Sequence, residues 1–594
     1  MYLKTHIRRK DGKEHVYYSI VESVRVRRRH VYQRRVLYLG ELNTAQVEAW
    51  QRTVEVVTER GERRQMRLFA VGQGEVAANE DDVAHVVLSS LCVRRPREFG
   101  ACWVALRMWE ELQLDDFWKA ALGGRRGEVA WEKVVALLAV NRLVAPRSEL
   151  YIHEKWFGQT GMTVLLDCDE RVAEKDRLYR CLDRMVEHKE ALERHLAGRW
   201  RDLFQAQCDI LLYDLTSTYF EGDVEGVPAA QRGYSRDRRP DCKQITLALV
   251  VTTEGFPLTY EVFDGNRVDV TTLEEMVEAV ERKHGQARRI WVFDRGIVSE
   301  ANLEFLRARG ARYLVGTRRA WLERYERELL SKDWQRISDE VEVKLMAGEG
   351  AKEAFILARS TARRKKERAI RRRMVGALHK DLRALQTLVS KGRLKNRDKL
   401  LQRVGSLEER HRALWGYLAI AIPEELPLKF SWRFDWRKFL VAHRRDGAYL
   451  LRTNISGKDP DELWRQYIQL TEVEACFKAL KSDLAIRPIW HWTAGRVEAH
   501  VMVAFLGYCL WVCLKRMLWA RASGLTPWQV LEQLKKILLV EVWFKLKQGG
   551  CICLERITQP EAAQAAILAQ LGWQLPAQPP PRIHTSMVPG VWQT

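Results

Sequence analysis

Three carboxylates in three different local contexts could serve one reaction. Asp214 closes the apolar run Ile210-Leu211-Leu212-Tyr213, and Asp294 closes Ile290-Trp291-Val292-Phe293. Glu474 sits at helical spacing between Tyr467 and Lys481. Phosphodiester chemistry needs a water or a DNA 3′-hydroxyl made nucleophilic near neutral pH, and a leaving oxygen whose charge is stabilised. Two divalent ions about 4 Å apart do both. Mg2+ (or Mn2+) prefers oxygen ligands and keeps several waters, so a few carboxylates suffice. The candidate centre is therefore two such ions on Asp214, Asp294 and Glu474. Singly, each aspartate is weak evidence, because Asp at a strand end is common as a turn or cap residue. Asp223, Asp264 and Asp269 are rivals, and Glu472 is a rival for Glu474. Strand position and helical register favour the named three.

Those side chains need elements to hold them. CDILLYDLT reads as a buried strand, and KQITLALVVT with FPLTYEVFDG as a hairpin around Thr253-Glu254-Gly255. TTLEEMVEAVERKHG predicts a helix stopped at Gly285. RRIWVFDRG predicts a strand, SEANLEFLRARG a helix capped by Ser299, and RYLVGT a further strand. The order βββαβαβ is that of a ribonuclease-H-like opening, so the fold class expected is α/β. Asp214 and Asp294 then fall at the same end of adjacent strands, and Glu474 approaches from a helix packed on the sheet. Residues seven apart share a helix face. Tyr467, Leu470, Glu474, Lys478 and Lys481 would form one stripe beside an apolar seam of Leu463, Phe477, Leu480 and Leu484. Lysines one and two turns beyond Glu474 could hold phosphate. An ordinary helix laced with salt bridges shows the same pattern.

Six stretches are expected. Residues 1–96 form a β-rich basic module in which Val24-Arg25-Val26-Arg27 alternates as a strand with one wet, cationic face. Residues 97–205 form a helical domain. The catalytic core occupies 206–320 and 441–520, with AYLLRTN (448–454) as a re-entering strand. An insertion fills 321–440. The remainder, 521–594, is a C-terminal helical region with a Pro-rich tail.

Charge points to a partner. The 594 residues carry a formal +21, and 46% are apolar, enough for ordinary cores. A basic excess of that size favours nucleic acid. From Arg359 to Arg412, 19 Lys/Arg stand against 5 Asp/Glu, two thirds of the whole excess. Charged helices in contact with DNA backbone are expected there, with a solvated helical face as the alternative. The eleven scattered cysteines include no CxxC pair, which supports neither a zinc ribbon nor a disulfide framework. The start of the chain has no apolar stretch, so a signal peptide is not expected. The best membrane candidate, Val501 to Leu514, has 14 residues. A span needs about 20, so a buried core helix is expected and no membrane partner.

At this point the chain resembles a family: the DDE transposases of bacterial insertion sequences, in the family labelled IS four and its subgroup IS sixteen-thirty-four. That family carries Y-x2-R-x3-E-x6-K around its glutamate. Tyr467, Glu474 and Lys481 match, and Leu470 stands where arginine is expected. YDLTSTYFEG with GYSRDRRPDCKQITLALVV is similar to the first block and VFDRGIVSEANL to the second. IRPIWHWTAGRVEAH is typical of the stretch after the glutamate. The resemblance implies Asp214, Asp294 and Glu474 as metal ligands and DNA contact through Tyr467, Lys478, Lys481 and Arg295. Leucine cannot hold a phosphate bidentately, so Lys478 or Arg465 substitutes, or the subgroup manages without it. Trp490 and Trp492 have two readings, the ordinary one of anchoring the core and that of stacking a base. The family implies cleavage at transposon ends and strand transfer into target DNA. It also implies inverted-repeat recognition by residues 1–205, a homodimer on DNA and a cytoplasmic, nucleoid-associated location.

Overall fold

The computed structural model describes the chain apart from residues 11–12, 27–29, 58–62, 66–83, 124–129, 223, 332, 348–352, 425–426, 522, 589–590 and 593–594. One nine-stranded sheet carries the site. Its strands are β1 (Ile210–Tyr219), β2 (Gln244–Thr252), β3 (Pro257–Asp264), β4 (Ile290–Phe293), β5 (Arg312–Gly316), β6 (Gln335–Ser338), β7 (Val341–Ala347), β8 (Ala354–Ser360) and β9 (Ala448–Thr453). They lie in the order β6-β7-β8-β9-β5-β4-β1-β2-β3. The first three strands are an antiparallel meander. β4 runs parallel to β1, and β5 parallel to β4. Helix Leu273–His284 links β3 to β4, and helix Glu300–Ala308 links β4 to β5. The βββαβαβ order is therefore present, consistent with a ribonuclease-H-like core.

Local chemistry explains these elements. β2 is buried at every position, the pattern of a strand covered on both faces. The β2–β3 turn needs a left-handed residue, which Gly255 supplies at φ +86°. Ser299 caps its helix by accepting from the Asn302 N–H at 3.1 Å. Helix Ala494–Ala520 backs the sheet, with Phe505 packed on Tyr260 of β3. It runs well beyond the 14 apolar residues read from the sequence. By length and composition it could cross a membrane, yet 89% of its apolar window is buried inside the protein.

The expected insertion begins differently from the reading of basic helices alone. β6, β7 and β8 extend the same sheet, and β9 stitches them to β5. The excursion after β8 is helical: Thr361–Ser390 and Arg397–Arg410, followed by the hairpin Leu418–Ala421/Ser431–Phe434. Val375, Leu378, Leu382, Leu385 and Val389 repeat at three and four residues and build a separate small core with Leu400, Leu407 and Phe434.

The N-terminal stretch forms the sheet Tyr2–Lys10, Lys13–Val26, His30–Glu41. The cationic face expected on Val24 to Arg27 involves side chains outside the described residues. Strand Val86–Glu98 leaves that module and pairs with Leu538–Leu546, which pairs with Cys551–Ile557. The C-terminal region expected to be helical is thus divided between these strands and the helices Pro527–Leu534 and Ala562–Leu571. Its strands alternate, with Leu539, Glu541 and Trp543 inward, a period of two that the helical reading overlooked. All eleven cysteines are free thiols.

Candidate active site

Register brings the two aspartates together. Ile210 to Tyr213 pair in parallel with Ile290 to Phe293, residue for residue. Asp294 follows the last paired residue of β4 just as Asp214 follows Tyr213 in β1, so the register carries the two aspartates to the same end of neighbouring strands. Asp214 does not end its strand, as the apolar run suggested. β1 continues to Tyr219, paired with β2, and Asp214 lies where its parallel neighbour β4 stops.

Glu474 comes from helix Leu470–Lys478. Val473, Cys476 and Phe477 are buried on the side packed against the sheet, leaving Glu474 exposed. The charges of both Asp294 and Glu474 act on Asp214. Burial is the larger effect, and together they push its carboxyl up to about 7. The Leu215 N–H, 2.8 Å from Asp214 Oδ1, and the Arg236 guanidinium oppose that rise. The charges of Asp294 and Glu474 thus reach Asp214, and that of Arg236 opposes them there. Among the described residues no three His, Cys, Asp or Glu side chains close around an ion by themselves. An all-oxygen donor set of this kind suits a hard divalent cation that completes its shell with water and phosphate.

The rival carboxylates have other partners. Asp269 pairs with Arg236 at 2.5 Å, Glu472 pairs with Lys515 at 2.9 Å, and Asp264 lies exposed at the end of β3. Asp223 is outside the described residues.

The expected single stripe is broken into three pieces. Helix Pro460–Ile468 ends before Gln469, helix Leu470–Lys478 follows, and Ala479–Asp483 is a π-helical turn. Tyr467 leans to the Asp294 side. Gly316 at the end of β5 makes room for it: a Cβ there would sit 2.6 Å from the Tyr467 hydroxyl and 3.4 Å from Asp294 Oδ1. Burial raises the phenol well above its ordinary pKa and the Asp294 charge adds to this, while Arg363 and Arg295 oppose it. Leu470 packs against the core. Lys478 is exposed. Lys481 lies 2.8 Å from Asp237 Oδ1, and Arg487 shares that carboxylate.

Sequence reasoning gave no role to Arg236 and Asp237. They sit in the loop between β1 and β2, where no periodicity marks a side chain's direction. The signals were the crowding of charge in SRDRRPD and its place in the block similar to the family's first one, and neither singles out these two side chains. Trp490 and Trp492 are 53% and 57% exposed, so neither anchors the core. The Ile489 N–H donates to Tyr219 O at 2.9 Å and fixes this segment beside the end of β1.

Two family patterns match the chain. Residues 3–68 match the N-terminal domain of IS1634 family transposases, and residues 209–510 match the transposase DDE domain. The second match covers more than half of the chain and contains all three carboxylates. The chain belongs to the DDE transposases of the IS1634 group. None of the curated proteins matches this transposase. Among solved structures it is similar to the piggyBac transposase synaptic complex with hairpin DNA, at 8% identity and TM-score 0.32, covering 73% of this chain and 78% of that one. The pre-cleavage Mos1 transpososome and the Mos1 paired-end complex with the left transposon end each show 16% identity and TM-score 0.14. Each covers 32% of this chain and 60% of the other. Membership of the family rests on the two sequence matches. This transposase is accordingly a DNA-cleaving and DNA-transferring enzyme of transposition.

Proposed function

We propose that the transposase cuts DNA at the inverted-repeat ends of its element and joins the exposed 3′-hydroxyl to target DNA at one centre. Asp214, Asp294 and Glu474 would hold two Mg2+ (or Mn2+) ions. The observation that supports this reading is the parallel register of β4 on β1, which carries both aspartates to one end of the sheet, with the Glu474 charge reaching Asp214. The bound ions would activate the attacking oxygen and stabilise the leaving one. Asp214, otherwise half protonated near neutral pH, would be held ionised by the cations it ligates. Tyr467 and Arg295 would meet DNA on the Asp294 side, and Lys478 and Lys481 would meet it as well. Lys481 would exchange part of its bond to Asp237 for a phosphate oxygen. Trp490 and Trp492 would offer indole faces to a displaced base.

Further from the centre, Lys365, Lys366, Arg368, Arg372 and Arg373 are exposed without an ion pair among the described residues. That supports DNA-backbone contact by the first half of helix Thr361–Ser390. End recognition would fall to residues 1–96 and 97–205, the insertion would span 321–440, and two copies would hold the two ends. The site of action would be the cytoplasmic nucleoid. The test is an assay with end-sequence DNA and a target plasmid in Mg2+. Nicking and joining are expected, and both are lost in Asp294→Ala. Cleavage without joining would make the protein a nuclease, and full activity of Asp294→Ala would remove the assigned centre.

A further inference from the structure

Position 470 lacks the guanidinium that the resemblance places one turn before the glutamate, and one of its two substitutes, Arg465, is tied to a carboxylate elsewhere. Leu470 is partly buried against the core. Arg465 is exposed and holds Asp461 at 2.7 Å. On the other side of Tyr467, however, a cleft of about 320 Å3 opens directly beside Asp294. Arg295, Arg318, Arg319, Arg363, Tyr449 and Tyr467 line it. The arginines come from three elements: the turn after β4, the turn after β5, and the first turn of helix Thr361–Ser390.

Their bonding is unequal. Arg319 is committed to Glu367 at 3.2 Å and to buried Asp446 at 3.1 Å. Arg363 bonds Glu367 through Nε at 3.1 Å and lies over the Tyr449 ring at 5.2 Å, which in turn stacks on Tyr467. Arg295 and Arg318 are exposed and have no ion pair among the described residues. They also form the wall shared with a second cleft of about 220 Å3. Two guanidinium groups without an ion pair among the described residues, and a third that lies over a tyrosine ring while paired to Glu367, leave the cleft with an excess of positive charge beside Asp294 and the Tyr467 hydroxyl.

We infer that this cleft binds a backbone phosphate of the DNA being processed, with Arg295, Arg318 and Arg363 supplying the cationic contact that Leu470 cannot. The ligand is a phosphodiester, held by charge-assisted bonds from planar guanidinium forks. The insertion thereby contributes Arg363 to the substrate site from outside the β5-β4-β1-β2-β3 core. This inference rests on the proposed reading that the carboxylate centre acts on DNA.

The test measures affinity for end-sequence duplex by fluorescence anisotropy, without divalent cations so that nothing is cut, across a salt series. Arg318→Ala and Arg363→Ala should each weaken binding about tenfold. Removed together, they should lower the log–log salt slope by about 0.9, the loss of one phosphate contact, and each alone should lower it by part of that. Arg318→Lys should recover part of the affinity, and Arg465→Ala should bind as the parent chain does. A thermal melt for each variant separates lost contact from lost fold. Unchanged slopes in folded Arg318→Ala and Arg363→Ala, or a loss in Arg465→Ala instead, would overturn the assignment. A mononucleotide or inorganic pyrophosphate bound by the parent chain and lost in both variants, with duplex affinity intact, would make the cleft a free-phosphate site and overturn it too. Failure of the parent chain to cut end DNA in Mg2+ is read in a separate assay and counts against the proposed function, not against the cleft.

Discussion

Replacing Gly316 by alanine tests how closely the site is packed. Gly316 has no positive φ, so alanine suits its backbone, and the cost lies entirely in what the new methyl meets. That methyl would stand 2.6 Å from the Tyr467 hydroxyl. Ordinary contact would require Tyr467 to withdraw by roughly 1 Å. Overpacking of this kind costs about 1–3 kcal/mol, a melting shift of a few degrees. A 1 Å displacement of a substrate-positioning group costs about a hundredfold in rate. Tyr467→Phe removes the obstructing oxygen, and the next atom, Asp294 Oδ1, is at a tolerable 3.4 Å. The double variant should therefore melt close to Tyr467→Phe alone and cleave end DNA as fast as Tyr467→Phe alone, a non-additive pair. Calorimetry and a gel-based cleavage assay read both quantities. Gly316→Ala melting and cutting like the parent, or keeping its full penalty when combined with Tyr467→Phe, would show that the described contact does not govern the site.

The same geometry sets other outcomes. Changing Lys365, Lys366, Arg368, Arg372 and Arg373 to glutamine should lower the salt slope of DNA binding by up to about 4 to 5; an unchanged slope returns this helix face to solvent. Trp492→Ala should cost about 1–3 kcal/mol in binding of DNA with an unpaired end, with Trp492→Phe milder. Equal affinity of the parent and both variants for such DNA would exclude stacking. Acid should destabilise the fold through His500. Burial, aided by Arg142, pushes its imidazole down to about 3 from 6.5. Between those values the unfolded chain binds the extra proton, so stability present at pH 7 is lost as pH falls through 6.5 toward 3. His500→Gln should flatten the fall in melting temperature between pH 6.5 and 4; an undiminished fall would place the acid sensitivity elsewhere.

Much of the core was legible because its signals are periodic. The apolar runs ending in Asp214 and Asp294, the hairpin glycine at 255 and the cap at Ser299 each carry a local physical cause, and the structure contains each element. β6 to β8 went unread although VEVKLMA alternates with period two, because the neighbouring charge run drew the stretch toward helices. The Tyr467-to-Lys481 stripe failed at Gln469 and again at the π-helical turn, where an extra residue per turn shifts the face. Arg236 and Asp237 were illegible for a different reason: loop side chains take their direction from tertiary contacts. The exposure of Trp490 and Trp492 likewise depends on what packs beside them, which composition cannot tell.

The excursion between β8 and β9 leaves and returns at neighbouring points. Arg359 pairs with Ala448, and the Ser360 N–H donates to Gly447 O at 2.9 Å. Eighty-odd residues therefore hang from a gap that a tight hairpin turn could close. Such a module can be lengthened, shortened or swapped between relatives while the ladder beneath it stays in register. Under the proposed reading, changes in that module would retune the grip on DNA without disturbing the strands that carry the aspartates.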